Sequence, residues 1–391
     1  MRIFGIVAEY NPFHNGHKYL IDQAKELGAD AVVAVMSGNW VQRGDTAIIS
    51  KFARTRQALE CGVDLVAEIP TFWAMSTAQK FALGAVTILE NLGADTLAFG
   101  SECGDPERIV QPAYCVRSAE FSKYMRELLD SGITPAKARE TAVQQLCGNG
   151  ELLRSPNDTL AVEYVCAAKM LNSKMRFIAV KRQGTAHDSD VPSGKYCSAG
   201  MLRKMILSGN IAETARYIPE PSFKILLEEH EKGKLSDIRL LEKTILTSLR
   251  TMSREDYKTL PDISEGIENR IFSAARMSAD LPTLFDNAAT KRYTNARLRR
   301  LVLSAFLKVK AEDIADTAPY IRVLGTNATG AEVLKSARQS SQLPIIMRSK
   351  LLKDDKAFEF EAKATDIYAL SQKSPEPCGT EFTTPVLVKK D

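Results

Sequence analysis

Residues 3–20 read IFGIVAEYNPFHNGHKYL, and the fold class follows from how this stretch changes character. Ile3 to Ala8 is apolar without alternation, as in a strand covered on both faces of its sheet. Glu9 ends the run, and a polar corner with Pro12 follows. Beyond the corner Leu20, Ala24 and Leu27 fall at i, i+4 and i+7, one face of a helix that Gly28 can end in the left-handed conformation. A strand that feeds a helix through a polar corner presents unpaired N–H groups and the positive end of the helix dipole to an anion. Gly16 lets a ligand come close to backbone there. His14 and His17, three apart, can donate to phosphate oxygens from one side. Two histidines at a helix start can also do no more than cap it, or can bind zinc, although His187 is the only further ligand in view; a metal site is not expected.

The rhythm continues outward. Ala31 to Met36, Asp64 to Glu68 and Thr96 to Phe99 repeat the strand pattern, with helical stretches at Lys51 to Glu60 and Thr77 to Asn91 between them. Phe177 to Val180 predicts another strand and Met201 to Leu207 another helix. Strands joined by helices predict an α/β fold, a Rossmann-like parallel sheet whose ligands sit beyond the carboxyl ends of its strands. With 391 residues, at roughly 150 per domain, the chain divides into a domain over 1–205, a helical region over 206–315 and a small α+β region over 316–391.

Composition narrows the function classes. Lys+Arg 52 against Asp+Glu 48 is too even for the total charge to argue for a polyanionic partner, so local clusters must carry that argument. Seven scattered cysteines without a C-x-x-C pair suggest neither a disulfide framework nor a zinc finger. The first apolar run is too short for a secretory signal, and no stretch approaches the roughly 18 apolar residues of a membrane span. A cytoplasmic protein is expected.

HNGH at 14–17, at a strand-to-helix junction, resembles the H-x-G-H signature of the nucleotidyltransferase superfamily. A second signature of that superfamily, I-S-S-T-x-x-R, has its counterpart in CSAGMLR at 197–203. Ser198 and Arg203 keep their spacing, whereas Ala199 and Gly200 replace hydroxyl-bearing residues. GIVAEYNPFHNGHKYL, AVMSGNWVQRGDTAIISKFART, FGSECGD, SPNDTLAVEY, RYTNARLRR and PYIRVLGTN follow in the order of the bacterial tRNA(Met) cytidine acetate ligases. That resemblance implies that acetate and ATP form acetyl-adenylate, and that the acetyl group passes to N4 of the wobble cytidine of elongator tRNA(Met). It implies His14, His17 and Arg203 as catalytic residues. It implies ATP contacts from Val7, Ala8, Glu9, Tyr10, Asn11, Pro12, Phe13, His14, Asn15, Gly16, His17, Lys18, Tyr19 and Leu20, with Gly100, Asn157 and Arg182. ATP is then a substrate accompanied by Mg2+, with no tightly bound cofactor and no protein partner.

Other readings stand beside these. Asn157 after Pro156 also fits a helix N-cap, and Arg182 an exposed strand-end charge. Gln42, Arg43, Lys51, Arg54 and Arg56 reach acetate, phosphate or RNA, or line a solvated helix face; His187 beside Asp188 is left outside the catalytic set. For RNA the expectation is the window Lys291 to Lys310, which has seven basic residues and no acidic one. Lys291, Arg292, Arg297, Arg299 and Arg300 are expected on the solvent side of a helix whose apolar face is Leu298, Leu301, Val302 and Phe306. An adenylyltransferase acting on a small phosphorylated acceptor and a noncatalytic tRNA-binding protein are the alternative functions.

Overall fold

The structure, a computed structural model, describes residues 1–183, 192–264, 266–290, 292–315, 317–352 and 354–390. His187 and Asp188 therefore lie outside the described residues. In chain order the strands are β1 (Ile3–Ala8), β2 (Ala31–Ser37), a short hairpin β3 (Trp40–Val41) and β4 (Asp45–Thr46), then β5 (Leu65–Ile69), β6 (Thr96–Ser101), β7 (Arg176–Lys181), β8 (Ile321–Thr326), β9 (Ile345–Ile346) and β10 (Leu387–Val388). The apolar runs thus become strands, each shifted by no more than two residues at either end. Helices α1 (Asn15–Glu26) and α2 (Lys51–Glu60) follow β1 and the hairpin, and Ala78–Asn91 and Pro156–Met170 precede β6 and β7. Gly28 ends α1 with φ 96°.

The main sheet runs β10-β8-β5-β2-β1-β6-β7, with β9 beside β8. Pairing is parallel from β5 through β7, and β1 meets β2 in unbroken register from Ile3↔Ala31 to Ala8↔Met36. All of β2 is buried because alternate residues serve opposite cores: Val33 and Val35 join the larger, Val32, Ala34 and Met36 the smaller. From β1 the chain winds outward through β2 and β5, then crosses back to lay β6 and β7 on the other side. The winding reverses between β1 and β6, and their carboxyl ends open the crevice in which such sheets bind ligands.

One expectation needs correction. The segment 316–391, read from sequence as a small separate region, completes the sheet that residues 1–205 begin: β8 lies antiparallel to β5, and β9 and β10 extend it. Pairing between strands some 250 residues apart leaves no trace in local periodicity.

Buried charge fastens this returning segment. Lys51, read from sequence as reaching acetate, phosphate or RNA or lining a solvated face, does neither and is fully buried; its Nζ lies 2.6 Å from Glu68 Oε1, 2.8 Å from Glu381 Oε2 and 3.7 Å from Glu361 Oε1. Glu361 also accepts from Thr71 N (2.7 Å) and Oγ1 (2.8 Å), and Arg322 Nη2 sits 3.7 Å from Glu381 Oε1. Burial works against the Lys51 ammonium, but the charges of Glu381, Glu68 and Glu361 outweigh it and hold the proton more tightly than usual. Three carboxylates face two cations, and burial pushes Glu68 well above the usual carboxylate range against the pull of Lys51. Arg54, also fully buried, donates to the carbonyls of Glu9 (2.6 Å), Ser37 (3.0 Å), Ile49 (3.1 Å) and Gly38, tying together the carboxyl ends of β1 and β2.

Removing one member of a buried ion cluster leaves the others uncompensated, at a cost of about 3–5 kcal/mol. Lys51→Met is expected to lower unfolding free energy by that amount in urea titrations. Adding Glu381→Gln should recover part of the loss; a loss below about 1 kcal/mol would mean that the cluster does not hold the segment.

Candidate active site

At the crevice β1 runs out into Tyr10, whose φ of 49° is left-handed. Such a backbone persists in a non-glycine residue only where packing over-determines it. Here the buried Tyr10 ring lies 4.8 Å from Phe13 and 4.9 Å from His17. His14 is the N-cap of α1, and its Nδ1 accepts from Gly16 N at 3.1 Å. His17 answers from the third helical position, where its Nδ1 accepts from His14 N at 3.2 Å. A backbone N–H can only donate, so Nδ1 of each ring is unprotonated and each neutral ring carries its proton on Nε2. The rings stack at 3.7 Å, an arrangement that two cations would resist. Burial lowers His17 well below the usual imidazole range, and a positive charge on its ring is further disfavoured beside His14 and Arg182. The histidines thus cap the helix and also present two N–H donors that hold no positive charge.

Both rings line a cavity of about 940 Å³. Among its described lining residues Arg43, Arg154, Lys181, Arg182, Arg203, Arg299 and Arg300 are basic, and only Glu9 and Asp45 are acidic. Arg203 stands in the helix Ala199–Leu207, capped by Ser198 Oγ, and donates to Asn11 O at 2.8 Å. Arg182 follows β7, with its backbone N–H on Ser101 O (2.9 Å) and its Nε 3.9 Å from Glu102 Oε1. Burial pulls both guanidinium groups below their usual range. Asn157 is not the N-cap of its helix, a place Ser155 takes; its Nδ2 donates to Glu102 Oε1 at 2.5 Å beside Arg182. Gly100 lies on β6, and a Cβ there would meet only Arg182 Cγ at an ordinary 3.6 Å. The protein's own packing leaves room for a side chain at that position.

The cavity therefore gathers Val7, Ala8, Glu9, Tyr10, Asn11, His14, Gly16, His17, Tyr19, Leu20, Gly100, Asn157, Arg182 and Arg203. Four expected residues do not line it. Phe13 is sealed in the smaller core, Pro12 is buried, Asn15 Nδ2 donates to the carbonyls of Lys195 (2.8 Å) and Arg216 (3.1 Å), and Lys18 pairs with Asp22. Their side chains point away because only part of a helix start can face one crevice.

The basic window near residue 300 departs further from expectation. Leu298, Leu301, Val302 and Phe306 are buried as the period predicts, but so are Leu303, Ala305 and Leu307, so the helix Asn295–Leu307 is largely embedded and, of its three arginines, only Arg299 is exposed. Arg297 donates to Asp262 O and Ser264 Oγ, both at 2.7 Å. Arg300 is buried, donates to Gln42 O at 3.2 Å and lies 3.7 Å from Asp262 Oδ2. Arg299 and Arg300 reach the same cavity as the histidines. Arg292 is exposed, and Lys291 lies outside the described residues. The cause is the β3–β4 hairpin, which packs so closely that a Cβ on Gly44 would strike the backbone of Arg300. That contact across some 250 residues was invisible in sequence; periodicity gave only the apolar face.

A crevice at the winding reversal of a parallel sheet, with a helix N-terminus on one side and arginines on the other, defines an α/β protein of the nucleotidyltransferase class. The family model described as HIGH Nucleotidyl Transferase matches residues 1–381. A curated tRNA(Met) cytidine acetate ligase of Thermoanaerobacter sp. (strain X514) is 38% identical over 400 residues, covering 99% of this chain and 100% of that protein. The crystal structure of Thermotoga maritima TmcAL in its apo form superposes with a TM-score of 0.95 at 31% identity, each chain covered in full. The same protein bound with alpha-thio ATP gives 0.93. The chain belongs to the HIGH nucleotidyl transferases and, within them, to the tRNA(Met) cytidine acetate ligase family. Among the described residues no helix is long and apolar enough to cross a membrane, and no group of three or more His, Cys, Asp or Glu could hold a metal ion.

The depressed His17 value has a sign that can be checked. The fold holds the neutral ring, so this contribution to stability is complete above the ordinary value of about 6.5 and is lost as pH falls below it. The parent should lose stability more steeply than His17→Asn between about pH 6.5 and 5 in urea titrations. Identical slopes would mean that the ring titrates normally.

Proposed function

We propose that the protein is an ATP-dependent ligase that joins acetate to the wobble cytidine of elongator tRNA(Met) by way of acetyl-adenylate. The observation that carries this reading is the cavity itself: two neutral N–H donors at a helix N-terminus face a wall of arginines at the ligand-binding end of a nucleotidyltransferase sheet. The full-length match to proteins named for that activity supports it.

Each wall then has work to do. An acetate oxygen attacks the α-phosphorus of ATP and pyrophosphate leaves, so two anions must be brought together before any bond forms. Arg203, Arg182 and Arg43 offset that repulsion. His14 and His17 donate from Nε2 to α-phosphate oxygens as charge grows on them, and because neither ring must gain or lose a proton, the step makes no acid–base demand on them. Gly100 lets the nucleoside lie against β6, and Asn157, oriented by Glu102, reaches toward the ribose. With Glu9 and Asp45 the only carboxylates among the described lining residues of the cavity, Mg2+ would be held by the phosphates of the substrate and by water and would neutralise phosphate charge there. In the second step the N4 amine of cytidine attacks the acetyl carbon and AMP departs. The exposed Arg292 and Arg299 contact tRNA phosphates, whereas Arg297 and Arg300 hold the helix that carries Arg299.

Incubation with ATP, labelled acetate and tRNA(Met), each omitted in turn, should give label in tRNA only in the complete mixture. Acetate-dependent exchange of pyrophosphate into ATP should need no tRNA. Pyrophosphate release that instead requires a small phosphorylated acceptor would point to an adenylyltransferase, and silence in every mixture to a tRNA binder. His17→Ala should slow the exchange at least about 100-fold while tRNA affinity stays within about threefold. Gly100→Ala should keep the parent melting temperature yet weaken ATP binding about tenfold or more; unchanged binding would remove the nucleoside from β6.

A further inference from the structure

An acidic side chain in a cavity built for a triphosphate is out of place unless it serves something other than the phosphates. Two acidic residues are among the described lining residues. Glu9 is engaged, with Oε1 accepting from Gln42 N at 2.9 Å. Asp45, on β4, directs Oδ1 to its neighbour Thr46 N at 2.8 Å, while Oδ2 lies 3.9 Å from Arg299 Nη1, beyond hydrogen-bond distance. Arg203, the other guanidinium near it, is turned to Asn11 O. Asp45 therefore stands among cations without being tied up by them, in the cavity wall that also carries Arg203 and Arg299.

We infer that Asp45 is a catalytic residue of the second half-reaction, the base that receives the proton of the attacking N4 amine. The inference rests on the ligase reading above and assigns a residue to a step which that reading leaves without one. As nitrogen attacks the acetyl carbon of acetyl-adenylate, the new C–N bond forms and the C–O bond to phosphate breaks. AMP leaves with that electron pair, and one N4 proton passes to Asp45 Oδ2. The product is a neutral amide with one N–H, and the protonated Asp45 returns its proton to solvent when AMP and tRNA depart. A base is needed because the amine lone pair is delocalised into the cytosine ring, so the nitrogen becomes acidic only as it attacks.

The surroundings suit such a base. Burial pushes the Asp45 carboxyl above the usual range and Asp237 adds to the rise, while Arg203, the Thr46 N–H and Arg299 restrain it. These groups come from the helix Ala199–Leu207, from β4 itself, from the helix Asn295–Leu307 and from the loop before Ile238. A carboxylate more basic than an ordinary one accepts a proton better, provided that it stays ionised at the working pH.

Because the two half-reactions are measured apart, the assignment is open to refutation. In full-length Asp45→Asn, acetate-dependent pyrophosphate exchange should stay within about threefold of the parent. Single-turnover acetyl transfer to tRNA(Met) should fall at least about 100-fold, with acetyl-adenylate accumulating on the enzyme. Parent transfer should rise with pH through an acidic limb that Asp45→Asn lacks, and Asp45→Glu should restore part of the rate. If exchange and transfer fall together in Asp45→Asn, the residue positions arginines or substrate phosphates and the inference is wrong. Transfer within about threefold of the parent would also overturn it. Absence of acetate-dependent exchange in the parent would instead overturn the ligase reading.

Discussion

Two hydrogen bonds at the start of α1 govern the chemistry of this protein. Gly16 N donates to His14 Nδ1, and His14 N donates to His17 Nδ1. Each satisfies a backbone group that a helix start would otherwise leave without a partner, and each removes one ring nitrogen from the proton equilibrium. Protonating Nδ1 of either ring would break the cap, so under the proposed function the imidazoles would meet a phosphate as neutral donors. The positive charge that the proposed function needs at a triphosphate must come from elsewhere, and the arginines lining the cavity, whose charge survives burial, are its source in that reading.

Those arginines need scaffolding that the first two hundred residues do not supply alone. Arg43 and Asp45 ride on the segment between β2 and α2. At one end of that segment Arg54 gathers four carbonyls, and at the start of α2 Lys51 is gripped by Glu68, Glu361 and Glu381. Two of these carboxylates come from the last forty residues, which also place β8 and β10 on the sheet. The chain's end thus anchors a loop that faces the nucleotide cavity. Buried ionic clusters are poor sources of net stability, but each member penalises any arrangement that leaves another unpaired. Here that penalty favours a single placement of the loop.

How far the sequence could be read depended on the range of the interaction. Strands β1, β2, β5, β6 and β7, helix α2 and the capped start of α1 are written in short runs of neighbouring residues, because burial on both faces and helical period are local patterns. The HNGH corner and Arg203 were legible for the same reason. Lys51, Arg54 and Arg300 were not. A basic residue among apolar ones looks the same in sequence whether it faces solvent or, as Lys51 does, carboxylates at the far end of the chain. The period of the helix Asn295–Leu307 identified one apolar face correctly and said nothing of the hairpin packed against the other.

By itself, then, the amino-acid sequence determined a parallel α/β sheet and a polar corner after its first strand where His14 and His17 open a helix, since each depends on neighbours in the chain. Tertiary structure alone decided that the C-terminal residues close that sheet, that Lys51 lies at the heart of a carboxylate cluster, and that Arg299, Arg300 and Asp45 face the same cavity as the histidines. The physical reason is that charges pair and strands join through space, and a partner's distance along the chain leaves no mark on either residue.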